Sequence, residues 1–482
     1  MAGLTSLGDE ALIALDTAAG RANALVNPNV RLGVTGLSRA GKTIFITALV
    51  HNLIHGGRLP MFDVVRSGRL ARAFLEPQPD HGVPRFAYED HIKALVDDRV
   101  WPESTRSISQ LRLTLDYESA SGWGRMFSRG NLHVDIVDYP GEWLLDLPLL
   151  GKDFTTFSAE ALERAGQGRR ADVAGEWLAI ADAFDPHEEA DELRVQQLSD
   201  AFRDYLAACR AEGLAMSTLP PGRFLMPGDM EGSPALTFAP LKHVASRARP
   251  GSMQAMMARR YEAYKTLVVK PFFRRHITRL DRQIVLIDAM AAINAGSESV
   301  ADLERALTEI LECFRPGAGN LLTSLWRRRI DRILVAATKA DHLHHESHDR
   351  LERIVERLTE RATKRAGLSG ASVKTVAMAA VRATREATVT EDGETLPVVV
   401  GTPIAGETIG EDTFDGERET AIFPGDLPED PEQLYAQRAE PGQRFVRMRP
   451  PRLETTAEGV TLSLPHIRLD KALQFLLGDR LQ

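Results

Sequence analysis

The sequence predicts an α/β protein in which a mostly parallel sheet carries helices on both faces. Three observations lead there. Short apolar runs, "RLGVT", "QIVLIDAM" and "RILVAATKAD", alternate with long helical stretches, as strands joined by helical crossovers do. "ISQLRLTLDYE" alternates apolar with polar residues, the mark of a half-buried strand. The first apolar run ends in a glycine-rich turn that opens directly into "KTIFITALVHNLI", which reads as a helix.

Taken in order, residues 1–26 read as an N-terminal helix. They carry Asp9 and Glu10 early and lack a basic start with a long apolar stretch, so they do not read as a signal peptide. Sheet strands are expected at 31–35, 108–118, 132–138, 284–288, 333–337 and 373–378. Residues 60–98 read as mixed and partly helical. Residues 27–143 and 281–385 form two parts of one core, and 144–280 an inserted helical domain. Residues 386–445 read as an acidic β-rich insertion, and 446–482 as a C-terminal segment whose last helix, from Arg468, returns to the core. From Glu386 to Glu432 there are fourteen acidic residues against one basic, Arg418.

The chain has 482 residues. That suggests about three domain-sized units, or one core with large insertions. A net charge of −8 argues against non-specific nucleic-acid binding. Cys209 and Cys313 form no spaced pattern, which favours a reducing, cytoplasmic setting. No apolar run approaches the ~20 residues needed to span a bilayer, so membrane contact is expected only at the periphery or through a partner.

The glycine-rich turn is "GLSRAGKT", residues 36–43. Two glycines four residues apart, followed by Lys and Thr between a strand and a helix, make a phosphate-binding loop. Backbone N–H groups of Gly36, Ser38, Arg39, Ala40, Gly41, Lys42, Thr43 and Ile44, with the helix dipole, would face phosphate. Lys42 would reach the β- and γ-phosphates, and the Thr43 hydroxyl would ligate Mg²⁺.

"VDIVDYPGEW" supplies Asp138 at a strand end, a Mg²⁺ ligand usually acting through water, and Gly141, whose N–H could meet the γ-phosphate. "TKAD" supplies Thr338, Lys339 and Asp341. Asp341 can accept from the N1–H and exocyclic amine of guanine, a donor pair that adenine lacks. Lys339 would lie along the base, and Thr338 stands where most such proteins carry Asn. Thr105, just before the strand at 108, is the candidate switch threonine for Mg²⁺ and the γ-phosphate. Ala379 and Ala380 are candidates for the base-side loop. The ligands expected are GTP or GDP with Mg²⁺.

These motifs, with "FITALVHNL", "WPEST", "DYPGEWLLDLPLL" and "TKADHL", resemble P-loop GTPases of the TRAFAC type, and more closely the bacterial YcjX-like family of stress-associated GTPases. The likeness covers nearly the whole chain. It implies a GTPase core interrupted by a helical domain, a stress-associated role, and an inner-membrane partner of the YcjF type.

Two positions stand apart. Glu142 occupies the place where many GTPases carry a water-orienting Gln, and a carboxylate there is repelled by the γ-phosphate. Arg39 sits inside the loop, as in guanylate-binding and atlastin-type GTPases, where such an arginine acts as a finger supplied in cis. A nucleotide-dependent dimer is one way to order it.

Other features weigh less. His342, His344, His345 and His348 cluster beside acids. A metal bound through His344 and His348 on one helical face is conceivable, but a charged helix start is the commoner reading. Trp123, Met126 and Phe127 lie between Arg125 and Arg129 in a hairpin loop, and suit packing more than a membrane surface. The rival functions are an ATP-dependent enzyme, a nucleotide-binding scaffold with negligible turnover, and a dynamin- or atlastin-like mechanoenzyme at a membrane.

Overall fold

The computed structural model describes residues 28–37, 39–103, 107–120, 130–211, 213–314, 330–367, 371–391, 394–436, 445–453 and 463–482. The expected N-terminal helix, Ser38, Thr105 and the loop of Trp123, Met126 and Phe127 lie outside the described residues.

Seven strands form one sheet: β1 (Asn29–Gly36), β2 (Leu70–Glu76), β3 (Ser109–Tyr117), β4 (Asn131–Asp138), β5 (Arg282–Ile287), β6 (Arg332–Ala337) and β7 (Ser372–Ala377). Their order is β2-β3-β4-β1-β5-β6-β7. β4, β1, β5, β6 and β7 are parallel, whereas β3 runs antiparallel to β4 and to β2. The strand that ends in Asp138 therefore lies beside the strand that ends in the glycine loop, with Val34 opposite Asp138. The edge strand β2 differs from the mixed, partly helical reading of its segment. "LARAFLE" is half-exposed, pairs only through β3, and has no β-branched residue to mark it.

Alternation along the central strands builds two cores. Ile284 and Leu286 of β5 face one side, and Val285 and Ile287 the other. The first side packs against α1 (Lys42–Ile54), where Phe45, Ile46, Leu49 and Leu53 are buried, and against the C-terminal helix, where Leu469, Leu473, Leu476 and Leu477 are buried. α2 (Tyr88–Val96) lies against α1.

The other side is covered by the chain between β4 and β5. It carries α3 (Phe154–Ala165), α4 (Gly168–Asp182), α5 (Glu192–Arg210), α6 (Met253–Tyr264) and α7 (Lys270–Arg275). Asp153 and Asp191 cap α3 and α5 with their side chains. Phe157, Trp177, Phe202 and Tyr261 from these helices join one continuous hydrophobic cluster with Val285, Ile287, Ile333 and Val335 of the sheet. The inserted helices thus share the core of the sheet.

α8 (Ala289–Ala295) and α9 (Ser297–Cys313) follow β5, and α10 (His348–Gly367) follows β6. Beyond β7 a small lobe holds β8 (Arg385–Glu391), β9 (Glu394–Gly401) and β12 (Thr420–Ile422) in one antiparallel sheet, with β10 (Thr408–Ile409) and β11 (Asp412–Thr413) in a hairpin. Its acidic bias has a counterpart. Arg350 of α10 meets Asp426 and Glu429, and Arg357 of α10 meets Glu432. The last helix is α11 (Leu469–Leu477).

Candidate functional site

The site gathers at the carboxyl ends of β1, β4, β5 and β6. The loop after β1 turns through two left-handed residues, Arg39 at φ 58° and Gly41 at φ 77°. Glycine accepts such a φ freely, whereas an arginine does so rarely, which marks the loop as held in shape by its surroundings. Gly41 then caps α1 with no side-chain hydrogen bond. The first-turn amides of a 13-residue helix therefore point out of the loop without a capping side chain. A Cβ on Gly36 would sit 3.0 Å from Lys42 Cγ and 3.1 Å from Ala40 Cβ, so the lysine stem folds back over the loop. Ala40 is buried and Arg39 exposed.

Thr43 is buried at the start of α1, and its hydroxyl donates to the Glu103 carbonyl at 3.3 Å. Glu103 stands two residues before Thr105 in the chain. Asp138 is 1 % exposed at the end of β4. A hydroxyl, a carbonyl and a carboxylate are hard oxygen donors of the kind Mg²⁺ takes.

The turn after Asp138 is pressed onto the loop. A Cβ on Gly141 would lie 2.2 Å from the Gly36 carbonyl oxygen and 3.0 Å from Leu37 N, so only glycine fits there. Glu142 then turns to the inserted helices. It is buried, and Arg210 at the end of α5 lies 3.2 Å from its Oε1. The chain continues as a 3₁₀ segment, Gly141–Gly151. In it Trp143 donates to the Met226 carbonyl at 3.0 Å and receives the Arg223 guanidinium on its ring face, 3.3 Å from the centroid. Asp146 is buried, accepting from Gly222 N at 2.7 Å and from Tyr264 Oη at 2.5 Å. Burial raises its pKa to about 7 against the pull of those two donors.

The turn after β6 holds the third motif. Thr338 donates twice to the Ile287 carbonyl, from N at 2.9 Å and Oγ1 at 3.1 Å. Lys339, left-handed at φ 61°, is ion-paired with Asp288 at the end of β5. Asp341 is 4 % exposed. Its Oδ2 accepts from Ala383 N at 2.9 Å, and its carbonyl accepts from the Thr384 hydroxyl. Ala340 N donates to Met378 O at 3.1 Å, which draws in the loop after β7. Ala379 in that loop exchanges two hydrogen bonds with Ile467, at 3.0 and 2.8 Å, so its amide is already engaged.

The sequence agrees across nearly its whole length with one known family. The YcjX-like family, DUF463, matches residues 30–481. The chain belongs to that family. A member from Escherichia coli (strain K12) described as "Ras-like GTPase YcjX" is 38% identical over 477 residues, covering 95% of this chain and 98% of the relative. A second with the same description, from Shewanella oneidensis (strain ATCC 700550), is 34% identical over 476 residues, 94% and 95% of the two chains.

Within this family member the structure brings Gly36, Arg39, Ala40, Gly41, Lys42, Thr43, Ile44, Asp138 and Gly141 to one end of β1 and β4. Thr338, Lys339, Asp341, Ala379 and Ala380 lie at the ends of β6 and β7. Three neighbours escaped the sequence reading. Asp288 holds Lys339, and its strand-end position before a helix was the only local signal. Arg210 and Arg223 meet the turn after β4, at Glu142 and Trp143, from far along the chain, with no local signature. No helix among the described residues is long and apolar enough to cross a membrane.

Proposed function

We propose that the protein binds GTP and hydrolyses it to GDP and phosphate with Mg²⁺. The observation that supports this most is the helix start at Gly41. A left-handed glycine with no side chain to cap the helix and a lysine stem folded back onto Gly36 stand beside the Asp138 turn, whose Gly141 is pressed against Gly36 and Leu37. Amides of residues 41–44 would hold the phosphates, the Ala40 amide being engaged by the Leu37 carbonyl, and Lys42 would bridge the β- and γ-oxygens. Thr43 and Asp138 would hold Mg²⁺, with Thr105 completing the set; the bound cation neutralises charge on the phosphates. Gly141 N–H would meet the γ-phosphate.

Asp341, anchored by Ala383 and Thr384, would accept the two guanine donors through its remaining lone pairs. Lys339 would exchange Asp288 for the base plane. Because the Ala379 amide is engaged, Ala380 is the better donor to the guanine carbonyl.

Glu142, tied to Arg210, serves as the link from turn to helices, so it leaves the water-orienting place unfilled. Arg39 would supply charge to the transferring phosphoryl group, an effect worth on the order of 10³-fold in rate. Competition binding tests the base reading: equal affinity for GTP and ATP would remove it. Single-turnover hydrolysis by Arg39→Ala tests the finger, and a rate within about twofold of wild type at unchanged affinity would end that role. The names of the relatives support the reading, and their GTPase description is the coarse form of it.

A further inference from the structure

The segment after the base-side turn gathers side chains that neither the phosphate nor the base site uses. One ligand atom from each of His344, His345 and Glu346 lies within 4.8 Å of the others. Glu386 of β8 stands behind the group, its Oε2 accepting from His345 Nδ1 at 2.6 Å and lying 3.9 Å from His344 Nε2, on the far side of that ring from Glu346. The His344 side chain is only 10% exposed. Its Nδ1 is buried without a hydrogen-bond partner, 3.8 Å from the Glu346 carboxylate. Buried polar atoms are seldom left so, and one aimed at a carboxylate and a second imidazole asks for a ligand between them.

The sequence reading paired His344 with His348 across a helical face. His348 instead directs Nε2 at the carbonyls of Ala340 and Leu343, at 2.8 and 3.3 Å. The cluster therefore keeps His344, takes His345 and Glu346 in place of His348, and recruits Glu386 from the acidic lobe.

We infer that His344, His345 and Glu346 form a binding site for a zinc-class dication, with Glu386 holding His345 through Nδ1 so that its Nε2 is the ligand. Two imidazoles with a carboxylate suit Zn²⁺ better than Mg²⁺ or Ca²⁺, which prefer oxygen alone. Four-coordinate zinc, with bonds of about 2.0–2.2 Å, needs donors about 3.3 Å apart. The ligand atoms of His344, His345 and Glu346 must close by about 1.5 Å, a shift that the exposed His345 and Glu346 side chains can supply while Glu386 keeps its hydrogen bond to His345. Arg382 Nη2 donates to Glu386 Oε1 at 3.0 Å and so orients that carboxylate behind the ligands. Bound metal would fasten residues 344–346 to β8, beside the tie between Thr384 and Asp341. The site does not depend on the guanine reading, because its test uses no nucleotide.

The test is Zn²⁺ titration of the full-length, chelator-stripped protein against a chromophoric chelator. Wild type, His345→Ala and Glu386→Gln are compared, with His81→Ala as a control outside the cluster. His345 is exposed, so its loss should leave folding intact, checked by the melting temperature without metal. One Zn²⁺ bound with Kd below about 10 µM, weakened at least tenfold in both cluster variants and unchanged in His81→Ala, is the expected result. Co²⁺ should give the intense visible bands of a four-coordinate site in wild type and His81→Ala but not in the two cluster variants. Weaker binding by wild type, or equal affinity in the cluster variants, overturns the site.

Discussion

The two halves of the candidate site are held by different kinds of contact. On the phosphate side, the turn from Asp138 leans on the inserted helices through charged and buried polar groups: Glu142 on Arg210, Asp146 on Gly222 and Tyr264, Trp143 under Arg223. On the base side, Thr338, Ala340 and Asp341 are tied mainly to backbone atoms of the neighbouring strand ends. Neutral backbone ties hold one geometry. Buried ionic ties are strong only while each partner stays in place, and losing one strands the other. The base side is thus a fixed platform, and the phosphate side is a joint through which a change at the γ-phosphate would reach α5 and α6.

The largest effect that sharpens this contrast is Asp341→Asn. Replacing the carboxylate proposed to take the two guanine donors should weaken GTP binding by about 10²-fold. The amide oxygen can still accept from Ala383 N, so the platform should stand. Xanthine carries a carbonyl where guanine has its amine, so xanthosine triphosphate should bind the variant better than it binds wild type. Unchanged GTP affinity in competition binding would break the base-side assignment.

Asp146 is the titratable part of the joint. Its carboxyl is raised to about 7 in the fold, against an ordinary value near 3.8. The folded state therefore binds more protons than the unfolded chain between those values. The resulting stability is complete below about pH 4 and fades as the pH climbs through 7. The loss between pH 5 and pH 8 should be on the order of 2 kcal/mol, read by urea unfolding. Asp146→Asn should flatten that slope, and a slope that persists would place its source elsewhere.

Gly222→Ala attacks the same joint from the insertion. A Cβ there would lie 1.9 Å from the Glu142 carbonyl oxygen and 2.4 Å from its carbon, backbone atoms that no rotamer change can move aside. The switch turn must shift, and single-turnover hydrolysis should fall by about tenfold, while GDP affinity stays within about threefold. Equal losses in both would show that the two sides are one unit.

The contrast also explains what could be read from the chain. The phosphate loop, the Asp138 turn and the Asp341 turn are local: a few residues with fixed spacing at strand ends, where backbone geometry does the work. The central strands were legible because they are buried on both faces, so that Ile284, Val285, Leu286 and Ile287 form a continuous apolar run. "LARAFLE" was not, since an exposed edge strand needs no such pattern. The joint was hidden for another reason. Glu142 and Arg210 are 68 residues apart, and nothing in either neighbourhood announces the other. The clustering of His344 and His345 was visible, but the carboxylate that backs it, Glu386, comes from another lobe.

The smallest expected effect is at Thr338, where the sequence departs from the usual Asn. Thr338→Val keeps the shape and removes one hydroxyl. The Ile287 carbonyl would keep its bond from Thr338 N at 2.9 Å, so no buried acceptor is stranded. The cost should be about 0.5–1 kcal/mol of stability, with GDP affinity moved less than about threefold. If affinity instead falls tenfold at unchanged stability, the hydroxyl touches nucleotide, and the base side is more than a platform of backbone ties.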